Sequence, residues 1–327
     1  MTTISVVPIL RSANALRPDH VLSTFLMTYP RWIHAEGRTH RLLTIDEGEE
    51  LMWMPKTPSL MADPNLSRNA SSSRAIPVRK MIDDVRANPA IPLFWGKNQR
   101  GMQAKEDLPP DLAERARNIW LHALEAAIAH AEALAYLAEI DGDPIGVHKQ
   151  VINRLLEPFS HIRVLVSGTQ WSNFIGLRDH ADAEPHIQLL ARLTRKELER
   201  EDNIQILQPG EWHLPFVDQN KKLEITSWLG ANFKPVEFAQ EYFIKQSVAC
   251  CASTSYKTVD GFEMTVDRAV SLHDKLVGSQ PLHASPAEHV AMADDWWEIH
   301  RKWRFASQHG NFRGFRQYRK MLPGECL

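Results

Sequence analysis

Cysteine is nearly absent: three in 327 residues. Cys250 and Cys251 are adjacent and Cys326 is next to last, so no CxxC metal spacing occurs and no disulfide framework is expected. Such usage points to a reducing cytoplasm. Long hydrophobic runs are also missing; none approaches the ~20 residues of a membrane helix. The opening MTTISVVPILRSANALRPDH lacks a basic start followed by an apolar core, so no secretory signal is expected. Charge of one sign does not dominate either. With 38 Lys and Arg against 40 Asp and Glu, the formal net charge is −2. That balance argues against a general polyanion binder, and direct nucleic-acid binding is not expected, although a local cationic pocket is compatible with it. The phosphate cradles GxGxxG and GxxxxGK[ST] are absent, as are the GxSxG nucleophile elbow and the HExxH zinc motif.

What is present is a globular composition, 43% hydrophobic and 24% charged. No composition break, low-complexity linker or fixed-period repeat divides the chain, so one domain over residues 1–327 is expected. The segment HVLSTFLMTYPRWIHAEGRTHR (20–41) reads as a strand passing into a helix, and residues 42–66 read as an inserted loop. After Pro77, the spacing of Val78, Met81, Ile82 and Val85 predicts an amphipathic helix. A long helix is predicted from Pro110 to about Ile140, broken by GDPIG. HKQVINRLLEP reads as a short helix ending before Pro158, followed by a strand over 162–166. SNFIGLR and the stretch after Asp179 are helical, SVACCASTSY reads as a buried strand, and VDRAVSLHDKLV as a helix.

Several stretches carry chemistry. SRNASSSRA (67–75) gathers four serines, an asparagine and two arginines. It is either a solvated loop or an oxyanion site in which hydroxyls and a guanidinium fork meet a phosphate. Arg154 stands on an otherwise apolar helix; it takes an anion or a base edge, or lays its stem over the neighbouring leucines. Asn173 and Arg178 are five apart, outside one helix face at i,i+4. His283 and His289 in HASPAEH offer a zinc pair with no acidic partner set by spacing, so a metal-dependent hydrolase ranks last and no metal is expected.

Together these segments resemble the flavin-dependent thymidylate synthases, the ThyX family. That family's signature reads R-H-R-x-x-S-x-N-E-x-S-x-R. THR at 39–41 supplies its H-R, and Ser67, Asn69, Ser72 and Arg74 fall at later positions once the 42–66 insertion is passed. Residues 149–158 resemble E-x-A-R-x-x-L-P with Arg154 at the arginine, and Asn173 to Arg178 resemble N-x-x-x-L-R. STSY (253–256) resembles R-V-S-Y, and HASPAEH (283–289) resembles H-x-S-P-F-E-H. In typical members the last two blocks come first, so the chain resembles a circularly permuted member, of viral type.

The resemblance implies a mixed α/β (α+β) fold with long helices, assembled as a homotetramer, in the cytoplasm (the host's if viral). It implies transfer of one carbon from methylenetetrahydrofolate to C5 of a pyrimidine deoxynucleoside monophosphate, by default dUMP to dTMP, with FAD carrying hydride from NADPH. By carry-over, Arg154 and Arg178 are catalytic, and Ser72, Arg74, Arg154 and Glu36 bind substrate. His40, Arg41, Ser67, Asn69, Asn173, Ser255, His283 and Glu288 hold the cofactor. The departures are Ala70 and Ala75 for the signature glutamate and closing aromatic, Ser253 for the arginine of R-V-S-Y, and Thr169 and Ser167 near the Asn173 helix. Two alternatives follow: a variant acting on dCMP or making a 5-hydroxymethyl product, and a nucleotide-binding homologue without redox activity.

Overall fold

The computed structural model describes residues 2–36, 66–101, 104–253, 263–279 and 285–325; side chains of residues 35, 36 and 66–70 are outside this description. The fold is mixed α/β. Its centre is a five-stranded sheet built from β1 (Ser5–Asn14), β2 (Arg17–Pro30), β3 (Leu66–Ala70), β6 (His161–Gly168) and β7 (Ile204–Leu207), in the order β3-β6-β2-β1-β7. Within this sheet only the β1–β7 pair is parallel. Strand alternation sends Phe25, Met27 and Tyr29 of β2 and Ile162, Val164 and Val166 of β6 to one face. There they pack under α5 (Ser172–Arg178) and α6 (Pro185–Leu198), against Phe174, Ile187 and Leu190.

Around this core stand α1 (Trp32–Glu36), α2 (Val78–Ala87), α3 (Pro110–Ala135), α4 (Lys149–Ile152), α7 (Gln219–Ala231), α8 (Ala239–Ala252) and α9 (Val266–Val277). Helix α2 begins after Pro77 and buries Met81, Ile82 and Val85 against Leu124 and Ile128 of α3, as the spacing predicts. Helix α3 stops sooner than its alanine content predicts. Residues 138–145 form instead a hairpin of β4 (Ala138–Ile140) and β5 (Asp143–Ile145). Asp141 (φ 54°) and Gly142 (φ 87°) both take the left-handed conformation that a tight two-residue hairpin turn demands. The buried residues of the long helix are Leu124, Ile128 and Ala131. A second correction concerns SVACCASTSY. Its first part belongs to α8, not to a strand, and buries Cys250 and Cys251; residues 254–256 lie outside the described residues, as does the 42–65 part of the predicted insertion.

The basic, aromatic tail closes a small sheet of β8 (Trp212–His213), β9 (Ala291–Ala293) and β12 (Phe315–Gln317), burying Phe312 and Phe315 against Leu22 and Leu207. Between β9 and β12, β10 (Trp296–Trp297) pairs with β11 (Lys302–Trp303).

A buried polar chain crosses the sheet. Ser12 Oγ meets His213 Nδ1 (2.8 Å), His213 Nε2 meets Thr24 Oγ1 (2.9 Å), Thr24 Oγ1 meets Ser167 Oγ (2.6 Å), and Ser167 Oγ meets His289 Nδ1 (2.9 Å). Burial, reinforced by the charge of His289, pushes His213 down to about 3. The folded protein therefore holds a neutral imidazole where the unfolded chain takes up a proton below about 6.5. Stability present above pH 6.5 is lost on acidification, at a limiting slope of about 1.4 kcal/mol per pH unit for this group. Burial pushes His161 down to about 4, in the same direction. Thermal melts at pH 7 and pH 5 are expected to show a lower Tm at pH 5, and His213→Asn is expected to flatten that dependence. An unchanged slope in the variant would remove His213 as a contributor.

Candidate functional site

The serine-rich stretch does not project as a free loop. Leu66–Ala70 is paired into the sheet beside β6, with Ser67 opposite Ser167 and Asn69 opposite Leu165. The chain then stays anchored, because the Ser71 N–H donates to the Arg163 carbonyl (2.8 Å) and the Arg163 N–H to Ser71 Oγ (3.1 Å). Ser73–Ala75 makes a single 3-10 turn. That turn packs against α4 and the 3-10 turn Asn153–Leu155.

Asn153 is the joint between them. It is fully buried, and its Nδ2 donates to the carbonyls of Ser73 (2.7 Å) and Ile76 (2.9 Å). Lys149 Nζ donates to the Ala75 carbonyl (3.1 Å). Beside the joint, Glu157 collects donors. Its Oε1 accepts from Ser73 Oγ (2.6 Å) and from Arg154 Nη1 (3.1 Å). Arg31 Nε donates to Ser160 Oγ (3.1 Å). Burial lowers the pKa of the Arg31 guanidinium, and the charge of Glu157 opposes that shift. Arg74 is exposed and makes no ion pair among the described residues. The result is a polar corner with the Arg31 and Arg154 guanidiniums, Ser73, Ser160 and the Glu157 carboxylate, beside the turn that carries the exposed Arg74 and bounded by the apolar packing of α2, α3 and α4.

The structure thus brings the turn that carries Arg74, next to Ser72, against the turn that carries Arg154, distant in sequence. Ser73, Asn153, Glu157 and Arg31 join them and were not singled out from sequence. The usable signal was the i,i+3 spacing of Arg154 and Glu157, ideal for a helical ion pair. Glu36 ends α1, but its side chain is outside the description, as are those of Ser67 and Asn69; His40, Arg41, Ser255 and His283 lie outside the described residues.

The segment Ser285–His289 packs against β3 and α8. Its Glu288 carboxylate is ion-paired with Arg319, and its His289 is buried against Ser167. Ser167 is on the opposite face of β6 from Val164 and Val166, so this segment and α5 cover opposite faces of the sheet. Asn173 and Arg178 belong to α5; Arg178 is buried, and burial alone lowers its pKa. Glu288 and Asn173 are therefore carried by segments on opposite faces of the sheet. Among the described residues, no group of three or more His, Cys, Asp and Glu is placed to hold a metal ion, and no helix is long and apolar enough to cross a membrane.

No protein-family model matches the chain, and no curated protein matches it. Among solved structures it is similar to a UMP/dUMP methylase, PolB, from Streptomyces cacaoi, bound with 5-Br UMP. The identity is 15% and the TM-score 0.44, over 62% of this chain and 91% of that one. A likeness this slight carries no weight in assigning a function.

Proposed function

We propose that the chain binds a pyrimidine deoxynucleoside monophosphate at the corner formed by residues 71–74 and 149–160, and serves transfer of one carbon to its C5, dUMP to dTMP by default. The observation that carries this reading is the joining of the serine–arginine turn to Arg154 through Asn153 and Glu157. Ser72 and Arg74 are assigned the phosphate, for which hydroxyl donors and an exposed guanidinium are chemically suited. Arg154 is assigned the pyrimidine edge, where a cation at a carbonyl oxygen stabilises the negative charge that grows as C5 becomes nucleophilic. FAD, NADPH and methylenetetrahydrofolate belong to the proposal through the family resemblance, with FAD supplying the redox chemistry when bound. A homotetramer belongs to it too. Exposed Leu112, Ile119, Tyr136, Ile140, Val151 and Leu155 leave uncovered apolar surface on α3, its hairpin and α4, beside Arg154.

A second reading, turnover of dCMP, is favoured by Glu157. A carboxylate beside Arg154 accepts a hydrogen bond from an exocyclic amino group, which cytosine has and uracil lacks.

Calorimetric titration with dUMP and dCMP tests the site. At least one is expected to bind, and Arg74→Ala is expected to weaken it by tenfold or more, about 1.4 kcal/mol. Failure of both nucleotides to bind would reject the reading. The visible spectrum after incubation with FAD and desalting decides the redox half: a retained flavin band supports it, and a colourless protein that still binds nucleotide leaves a binder without redox activity.

A further inference from the structure

Arg31 differs from the other cations of the corner. Arg154 is paired with Glu157 (3.1 Å), Lys149 Nζ donates to the Ala75 carbonyl (3.1 Å), and Arg74 is exposed. Arg31 is half-buried and makes no ion pair among the described residues. Glu157 acts on it only through space, beyond ion-pair distance, and is already matched by Arg154.

The chain holds Arg31 at two points. Strand β2 ends with Pro30 opposite His161, and the next residue stays beside the same strand. The Arg31 N–H donates to the Ser160 carbonyl (2.9 Å), and Nε donates to Ser160 Oγ (3.1 Å). Ser160 is buried and spends its own O–H on the Glu157 carbonyl (3.0 Å), so its oxygen is left to accept from Arg31. The backbone and the Nε edge are thus fixed. The two terminal nitrogens have no hydrogen-bond partner among the described residues.

A guanidinium does not shed its charge when it leaves water. Without a counter-ion, its burial costs stability that a carboxylate or an anionic ligand restores. The corner supplies one carboxylate, Glu157, to two guanidiniums, Arg31 and Arg154, so positive charge is in excess where water is partly excluded. That excess sets the sign of the ligand. The unused fork of terminal N–H groups sets its shape, because it matches two oxygens of one oxyanion.

We infer that Arg31 is an anion-binding residue of this corner, whose terminal N–H groups hold the phosphate of the bound nucleotide from the protein side. The inference deepens the nucleotide reading and rests on it for the identity of the oxyanion, though not for the existence of the anion site.

Arg31→Met keeps a long stem and removes the charge. Calorimetric titration of the full chain is expected to show dUMP or dCMP, whichever binds the parent, weakened by roughly 10–100-fold in the variant, the loss that follows removal of charge-assisted hydrogen bonds. Inorganic phosphate gives a readout free of the base. At matched ionic strength, replacing chloride by phosphate is expected to raise the melting temperature of the parent more than that of the variant. The general stabilisation by phosphate acts on both alike and cancels. Should Arg31→Met not fold, Arg31→Lys keeps the charge without the fork, and a loss of about tenfold in nucleotide affinity is expected. Equal phosphate shifts in the parent and Arg31→Met, or undiminished nucleotide affinity in a folded variant, overturns the inference. If neither nucleotide binds the parent while the phosphate shift still depends on Arg31, the anion site stands and the nucleotide reading falls.

Discussion

Arg154→Ala is expected to lower kcat/KM for the pyrimidine nucleotide by about 10²–10³-fold, the loss typical when one charge-stabilising donor is removed from a reacting centre. The guanidinium is 59% exposed and its structural partner is a single ion pair with Glu157, so the variant should fold as the parent does. The expected loss is therefore a loss of function with melting temperature nearly unchanged. Arg154→Lys separates charge from geometry. A lysine keeps the positive charge but not the planar fork, so it should recover only part of the activity. Glu157→Gln provides a further contrast. Removing the carboxylate frees Arg154 and Ser73 from their shared anchor, and a dCMP-selective site should then lose its preference while a dUMP site should not. Unchanged nucleotide turnover in Arg154→Ala would exclude this arginine from the chemistry.

The second large effect is expected at Asn153. Asn153→Ala removes two buried N–H donors, taking from the Ile76 carbonyl its side-chain partner and leaving the Ser73 carbonyl only the Ile76 N–H (3.2 Å), at a cost of about 1–3 kcal/mol. Urea denaturation should show this as a lowered midpoint with an unchanged m-value. Nucleotide affinity should fall with it, because the same two bonds seat the serine–arginine turn against Arg154. Asn153→Asp tests the direction of those bonds: a carboxylate facing two carbonyls cannot donate and should be no better than alanine. A stable Asn153→Ala protein with full affinity would show that the turn is held by β3 and Ser71 alone.

Much of the scaffold was legible where residues repeat with a clear period. The Met81, Ile82 and Val85 stripe marked α2, the run from Val21 to Tyr29 marked β2, and 162–166 marked the middle of β6. Helix α8 was misread because it is buried nearly all round, from Ile244 through Cys251, so its apolar pattern has no helical period to detect. The hairpin after α3 was hidden because Asp141-Gly142, a strong turn signal, sits behind an alanine-rich helix pattern. For the site, Ser72, Arg74 and Arg154 could be nominated as a group only through family resemblance. Nothing local to Asn153 or Arg31 announces that each will face a partner dozens of residues away.

The chain of hydroxyls and imidazoles from Ser12 to His289 has a consequence for how the molecule reaches its native form. Its members come from β1, β2, β6, β8 and the Ser285–His289 turn, and its bonds join positions 122 to 201 residues apart. A slip of one residue in any of these strands turns its member to the other face and breaks the chain. The network thus works as a key to strand register inside the buried sheet. Being wholly non-local, it closes only after distant segments have met, which places it among the late and slow steps of folding. A misregistered intermediate keeps much of its hydrophobic burial but leaves these polar atoms unmatched, and is penalised for it.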